Sequence, residues 1–397
     1  MVYPALVANC DTGDGAHLQN YYQEFEVKAD GTMIVKKFGR QVEGECMSRL
    51  SGFVVTIIFL LFSAGLSTGA DSGYVVYWGL GADPKQDGGK LSSGVLSLAG
   101  EPVRDIISIS CGTFHALALK SNGTVLGWGG NQQGQATGSA SHTREVSFVH
   151  LDGRVLDDVV AVAAGWTHSL ALRSDGTIVG WGMEGFSKGP LIVPLGLTNM
   201  ISIATGTAFR MGVNRFGHAI DLYSGQAAPG LSNLAVVAVQ RAQIPFGVAL
   251  GTNGTVRMFA TKGAPEYAVN APALSNAVAI ACGLRHNLAL ASDGTVWGWG
   301  FNGNGEATGN PTTTSPFYSS GVVRVGSRDL RRVSAIAAGE GFSLAIREDG
   351  TLASWGDPHN AGFAIPEGLS NVVAIAAGQR FCLAITTNAA VAERFRR

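Results

Sequence analysis

Residues 279–300 read "AIACGLRHNLALASDGTVWGWG", and residues 161–182 read "AVAAGWTHSLALRSDGTIVGWG". A chain that restates one phrase is built of units that cannot each bury an apolar face alone, so the copies must stack. Anchored on the Gly that ends "AIACG", equivalents occur at Gly112, Gly165, Gly206, Gly283, Gly339 and Gly378. Gln240 takes that place in a degenerate copy, positioned by "LSN" at Leu231–Asn233, which matches Leu369–Asn371. In the units at Gly112, Gly165, Gly283 and Gly339 the step from Gly to Asp or Asn is ten residues, and the next step to Trp is six.

Each unit resolves into short strands. The first is a run such as "AVAIAC", rich in Val, Ile and Ala. The second is "HNLALA", alternating apolar with small or polar residues. Asp293-Gly294-Thr295 or Asn122-Gly123-Thr124 follows. Asp-Gly and Asn-Gly favour two-residue hairpin turns, whose central residues both take positive φ. "VWGW" is the third strand, and the variable stretch after it is long enough for a fourth. Four-stranded units of this size predict a β-propeller of seven blades, an all-β fold. The small residues of "AVAA" and "AIAA" are expected at the crowded axis, with Leu, Ile and Trp between blades. No helix-length amphipathic segment follows residue 70.

The ends predict how the ring closes. The last unit, "VVAIAAGQRFCLAITTN", lacks the Gly-Thr and Trp-Gly that should follow Asn388, while "GYVVYWG" at 73–79 is a third strand without a first or second. Pairing Tyr74–Trp78 with Phe381–Thr386 completes one blade and removes exposed sheet edges. The propeller is expected over 71–389, with 390–397 a tail.

Residues 47–70, "MSRLSGFVVTIIFLLFSAGLSTGA", have the order of a secretory signal peptide: Arg49, an apolar run from Phe53 to Phe62, then small residues to Ala70. The run is short for a membrane span of about 20 residues. We expect translation to start at Met47, with 1–46 an over-extended reading frame or a disordered N-terminus. The alternative is an uncleaved anchor at 53–70, the one case in which the membrane is a partner. "FEVKADGTMIVKKFG" within 1–46 imitates the repeat out of register and reads as a chance hairpin. The expected location is extracellular, periplasmic or cell-envelope.

The formal net charge is -1, so no basic field attracts nucleic acid. Five Cys (10, 46, 111, 282 and 382) form no CxxC pair and no zinc pattern with His. Cys111 and Cys282 share a repeat position and read as small buried hydrophobes. No disulfide framework is expected.

"VAVAAGWTHSLALRSDGTIVGWG" and "GWGGNQQGQATG" resemble repeats of the regulator-of-chromosome-condensation family, over about residues 74–388. The resemblance implies a seven-bladed propeller. The family's Asn-x-x-Gly-Gln stretch stands at Asn131–Gln135, is altered at Asn302–Glu306 and is largely lost elsewhere. Phe216-Gly217-His218 replaces one turn, and Phe259-Ala260 replaces one Trp-Gly. The founding member is a nucleotide-exchange factor for a small GTPase and binds chromatin. The export signal and balanced charge argue against that role here. The repeat style is similar to that of bacterial secreted relatives, one class of which inhibits β-lactamases. Light sensing as in plant ultraviolet-B receptors is not expected, because only Gly165-Trp166-Thr167-His168 approaches their Gly-Trp-Arg-His repeat.

No catalytic pattern stands out. Gly298-x-Gly300-x-x-Gly303 matches a dinucleotide fingerprint but ends a strand and opens no helix. There is no phosphate loop, HExxH or nucleophile elbow. His115, His168 and His286 share a position that elsewhere holds Phe209, Phe342 and Phe381, so they read as packing. Asp175, Asp293 and Asp349 read as turn formers. Asn122-Gly-Thr and Asn253-Gly-Thr match glycosylation sequons and are equally explained as turns. No cofactor, metal or catalytic residue is expected.

The expectation is a monomeric, non-enzymatic interaction module that binds a protein partner and no nucleic acid. The alternatives are a β-lactamase-type inhibitor, an exchange factor, or an enzyme with an axial-pocket site. The two residues after each anchor Gly vary most and should share one face: Thr113-Phe114, Trp166-Thr167, Thr207-Ala208, Leu284-Arg285, Glu340-Gly341 and Gln379-Arg380, with a longer Arg241–Pro245 turn. Phe114, Trp166, Leu284, Arg285 and Arg380 are the candidate contacts there, since aromatics and Arg dominate interface energetics. The long connections 80–105, 130–158 and 301–332, with Phe317 and Tyr318, form a second candidate surface.

Overall fold

The computed structural model describes residues 2–5, 23–27, 33–38 and 73–396, apart from 82, 84–90, 185–188, 208, 241–245, 261–270 and 361. The expected signal segment at 47–70 and the Arg241–Pro245 turn lie outside the described residues. The chain divides into two compact units, residues 1–55 and 56–397. In the first, strands Gln23–Val27 and Met33–Phe38 form the expected hairpin, and Val2–Ala5 adds a third strand to it.

In the second unit, the alternating apolar runs become seven antiparallel sheets, one per repeat. Blades 1 to 6 begin at inner strands Ile106–Cys111, Val159–Ala164, Met200–Thr205, Leu234–Val239, Ala277–Cys282 and Val333–Ala338. Blade 7 is Val372–Ala377, Phe381–Thr386, Tyr74–Leu80 and Leu91–Val95, in that order. Phe381 pairs with Gly79 and Thr386 with Tyr74, so the two expected strands pair and seal the ring. Gln240 fills the anchor position as expected: its N–H donates to Phe246 O at 3.1 Å, as Gly112 N–H does to His115 O at 2.8 Å.

Three expectations need correction. A fourth strand forms only in blades 1, 5 and 7 among the described residues. In blades 2 and 3 single bridges, Met183 to Pro190 and Ile220 to Ala227, stand in for it, because the connections there lack the alternation of Tyr318–Val322. The Asp-Gly turns are not the two-residue type. Gly294 N–H donates to Ala291 O at 3.0 Å, Gly294 has φ +76°, and Asp293 stays out of the left-handed region. This is a type I turn followed by a glycine bulge. Finally, the inner strands are not lined by small residues alone: Ile280, Ile336 and Ile375 reach the axial channel, a space of about 270 Å³ touched by all seven blades. Both faces of an inner strand meet a neighbouring blade, so alternate residues enter different interfaces. Ala279 packs toward blade 6, and Ala277 with Ile280 packs toward blade 4.

Seven apolar clusters result, one between each pair of adjacent blades. Trp78, Trp128, Trp181, Trp299 and Trp355 each fill one. The tail begins with a helix, α1 (Ala389–Arg394), capped by Asn388, whose side chain accepts from Ala390 N–H. Val391 and Phe395 pack into the cluster between blades 6 and 7.

The turn aspartates do what their position predicts. Asp349 Oδ1 accepts from Thr351 N–H at 2.9 Å and from its hydroxyl at 2.6 Å, which holds the carboxyl below the usual carboxylate range. Asn122 and Asn253 make the same bonds to Thr124 and Thr255.

The candidate docking face and its pocket

The anchor Gly is required by close approach. A Cβ on Gly112 would lie 2.4 Å from Gly165 O, and one on Gly283 would lie 2.6 Å from Gly339 O. The turns therefore abut around the axis, and the two residues after each Gly are pushed out on one face. Trp166 N–H donates to Gly206 O and Leu284 N–H to Gly339 O, both at 3.2 Å, so each turn is tied to the next. Thr113, Phe114, Trp166, Thr207, Leu284, Glu340 and Gln379 line one mouth of about 270 Å³. Phe114, Arg285 and Arg380 are exposed there, and Trp166 and Leu284 are half-buried. Thr167 is buried, its hydroxyl donating to Met183 O at 2.9 Å. Ala208 lies outside the described residues.

The two surfaces anticipated from sequence join in part. In blades 1, 5 and 7 the residue that ends or follows the third strand donates to a carbonyl of the adjacent post-Gly turn. Gly130 N–H bonds Phe114 O at 2.7 Å, Phe301 N–H bonds Arg285 O at 2.9 Å and Leu80 N–H bonds Arg380 O at 2.9 Å. The long connections therefore leave from the same face. Arg285 stacks 5.7 Å over the Phe301 ring. Phe301 in turn contacts Phe317 at 6.4 Å and Tyr318 at 6.1 Å. Only the first part of each long connection lies there. After the outer strand the chain has returned to the far edge, where hairpins such as His150–Leu151 with Arg154–Val155 sit: Val149 N–H bonds Val125 O, at the start of the third strand.

A larger pocket of about 820 Å³ opens over blades 5, 6, 7 and 1. Arg144, Arg285 and Arg380 line it beside Phe114, Leu284 and Phe301, and Glu306, Glu340 and Asp357 form its acidic part. Glu306 and Asp357 escaped sequence reasoning. The signal for Glu306 was the change from Gln135 to Glu at the end of the Asn-x-x-Gly-Gln motif. The asparagine of that motif is a structural staple. Asn131 Oδ1 accepts from Ala136 and Thr137 N–H, and Asn302 Oδ1 accepts from Ala307 and Thr308 N–H. The altered copy keeps this staple and brings in a charge at its last position.

The histidines are packing residues with a further role. His286 Nε2 lies 2.7 Å from Ser343 Oγ of the next blade, and that hydroxyl donates to Glu306 O at 2.9 Å. The serine's one proton is thus committed, so Nε2 carries the hydrogen and donates. His115, Ser169 and Gln135 O repeat the chain. In blade 3 Arg210 occupies the serine's place, and His168 bonds Thr205 instead. Burial lowers His168 and His286 to about 3, so both are neutral; Nδ1 of each has no acceptor for a second proton. Arg210 is itself buried and pairs with Glu184 at 3.3 Å.

Among the described residues no three His, Cys, Asp or Glu gather to hold a metal ion. Cys282 is a free thiol, and burial pushes it up to about 12. Gly298 and Gly300 lie within the strand Val296–Phe301, and a Cβ on Gly298 would strike Ala307 O.

The family model for the regulator of chromosome condensation (RCC1) repeat matches residues 106–135, 159–187, 277–306 and 333–361. Protein pim1 of Schizosaccharomyces pombe is 26% identical over 258 residues, which cover 61% of this chain and 45% of pim1. The ultraviolet-B receptor UVR8 of Arabidopsis thaliana is 28% identical over 327 residues, 76% of this chain and 64% of that protein. The chain thus spans less than two thirds of either relative. The crystal structure of Prp20p from Saccharomyces cerevisiae superposes with a TM-score of 0.60 at 18% identity, covering 82% of this chain and 94% of that one. The chain thus carries RCC1 repeats in four of its seven blades, and its sealed ring has the fold of the propeller it superposes on.

Proposed function

We propose that the chain is a protein–protein docking module, working outside the cytoplasm, that binds its partner through the face of the post-Gly turns. One observation carries this reading: the aromatic and arginine residues singled out by their variability join into one surface around an open pocket, through Phe301. Such residues around a concave centre are the anchors of known interfaces. Prp20p is described with its binding to Gsp1p and histones, which supports interaction as the use of such a ring without naming a partner here. The double variant Phe114→Ala/Arg285→Ala should weaken capture of a partner from secreted and envelope fractions by about tenfold or more. An unchanged set of captured proteins would remove this face from contention. Capture of a small GTPase would favour the exchange-factor alternative.

The export proposal rests on residues 47–70. N-terminal sequencing of the protein recovered outside the cytoplasm should begin close to residue 71; a chain retaining residues 1–46 refutes it.

A further inference from the structure

The pocket on the docking face holds opposite charges in different places. Arg285 and Arg380 stand exposed on the rim, where water solvates them at no cost. Glu306 is 3% exposed. Its Oε2 accepts from Asn304 N–H at 2.9 Å. The residue lines the pocket. Asp357 and Glu340 line the same wall, and Asp357 Oδ1 accepts only from His359 N–H at 2.9 Å. Among the described residues none of these three carboxylates has an ion-pair partner. The equivalent of Glu306 in blade 1 is neutral and closed on itself: Gln135 accepts from Gln133 N–H and donates to the Gln133 side chain. Blade 5 thus carries a buried charge where its sister copy carries an amide; Arg285 acts on it only from beyond ion-pair distance, and a buried carboxylate without a bonded cation is a group whose demand a ligand can meet.

We propose that this pocket receives a single Lys or Arg side chain of the protein partner, its cationic head set between Glu306, Asp357 and Glu340. The inference rests on the docking-face reading and names what enters it. Burial, with the neighbouring Asp357, raises Glu306 above its ordinary range even though backbone hydrogen bonds and the charge of Arg285 pull the other way, and an incoming cation would relieve that strain. The rim arginines restrict the entrant. A polybasic segment is repelled by Arg285, Arg380 and Arg144, while one basic residue flanked by acidic ones satisfies both layers.

The test uses the full chain and two acetylated, amidated tripeptides, Glu-Arg-Glu and its neutral isostere Glu-citrulline-Glu, titrated at low ionic strength. The arginine peptide should bind about tenfold tighter or more, and Glu306→Gln should abolish the preference. Glu306→Gln should also melt as wild type does, since Gln already serves at that position in blade 1. If it melts early, Asp357→Asn/Glu340→Gln must produce the same loss. Equal binding of the two peptides to wild type overturns the proposal, as does a preference that survives these substitutions. Neither result depends on the capture experiment, by which the docking face itself stands or falls.

Discussion

Deleting residues 71–79 is expected to lower the melting temperature drastically or prevent folding. The deletion removes the third strand of blade 7, which pairs from Tyr74 to Gly79 with the C-terminal strand. Val75 and Tyr77 face the cluster shared with blade 1; Val76 and Trp78 face that shared with blade 6. All four are buried, at 0, 8, 0 and 2% exposure respectively. Each such side chain contributes about 1.5–3 kcal/mol, so the strand is worth about 6–12 kcal/mol. That matches the whole stability of an ordinary domain, about 5–15 kcal/mol. Two interfaces open at once, and Leu91–Val95 loses the strand it pairs with. Trp78→Ala alone should cost about 3–5 kcal/mol, since it also removes the indole's 3.0 Å hydrogen bond to Gly362 O and leaves that carbonyl only the weaker Cys382 donor. A synthetic peptide covering residues 71–95 should restore part of the melt when added to the deleted protein. A deleted chain that melts unchanged would mean the ring does not depend on its closure.

That closure was visible in the sequence because it is arithmetic: a third strand without partners at one end and two strands lacking a third at the other. The strand bounds were visible because one period recurs with fixed steps. The fourth strands were not, because the connections share no pattern and edge strands are set by local context. The turn type was misjudged for a related reason. Asp-Gly is compatible with more than one hairpin, and the choice is made by the Thr that follows, whose N–H and hydroxyl both reach the Asp.

The docking face was half legible. Variability after each Gly placed Phe114, Trp166, Leu284, Arg285 and Arg380 on one side, since symmetry puts equivalent turns together. It could not say that Phe317 and Tyr318, more than thirty residues beyond Arg285, reach the same patch. Phe301, itself a strand residue and absent from the expectations, makes that connection. Glu306 was noticed as a departure from a motif, but its burial and its neighbour Asp357 depend on how the blade 5 loop lies against blade 6.

The histidine position shows what a single column of a repeat conceals. His and Phe look interchangeable, yet each is matched to the next blade. His115 and His286 meet Ser169 and Ser343, whereas Phe342 meets Cys382 and Phe381 meets Ala116. The carbonyl that Ser343 caps is Glu306 O; Cys382 caps Gly362 O at 3.4 Å in the same way. Ser343→Ala should therefore cost more than His286→Phe. It strands the His286 Nε2–H and Glu306 O together, about 2–4 kcal/mol, while His286→Phe leaves Ser343 bonded and costs about 1 kcal/mol. The double variant His286→Phe/Ser343→Cys transplants the pairing of blades 6 and 7 and should recover at least half of the Ser343→Ala loss in denaturant melts. Additive losses would refute the pairing. Acid supplies an independent check. With folded values near 3 and unfolded values near 6.5, His168 and His286 leave stability intact above pH 6.5. Below it the unfolded chain takes up protons that the fold refuses, removing about 1.4 kcal/mol per pH unit for each His, about 2.7 for both. The turn aspartates Asp175, Asp293 and Asp349, held below 3.8, add to the loss only in stronger acid. Glu306, raised above 4.5, works in the opposite sense as it takes up its proton. Between pH 6.5 and 5.5 the slope should thus belong to the histidines, and the double variant should reduce it by the share of His286. A slope unchanged in that variant would show that His286 is not held neutral by its place between the blades.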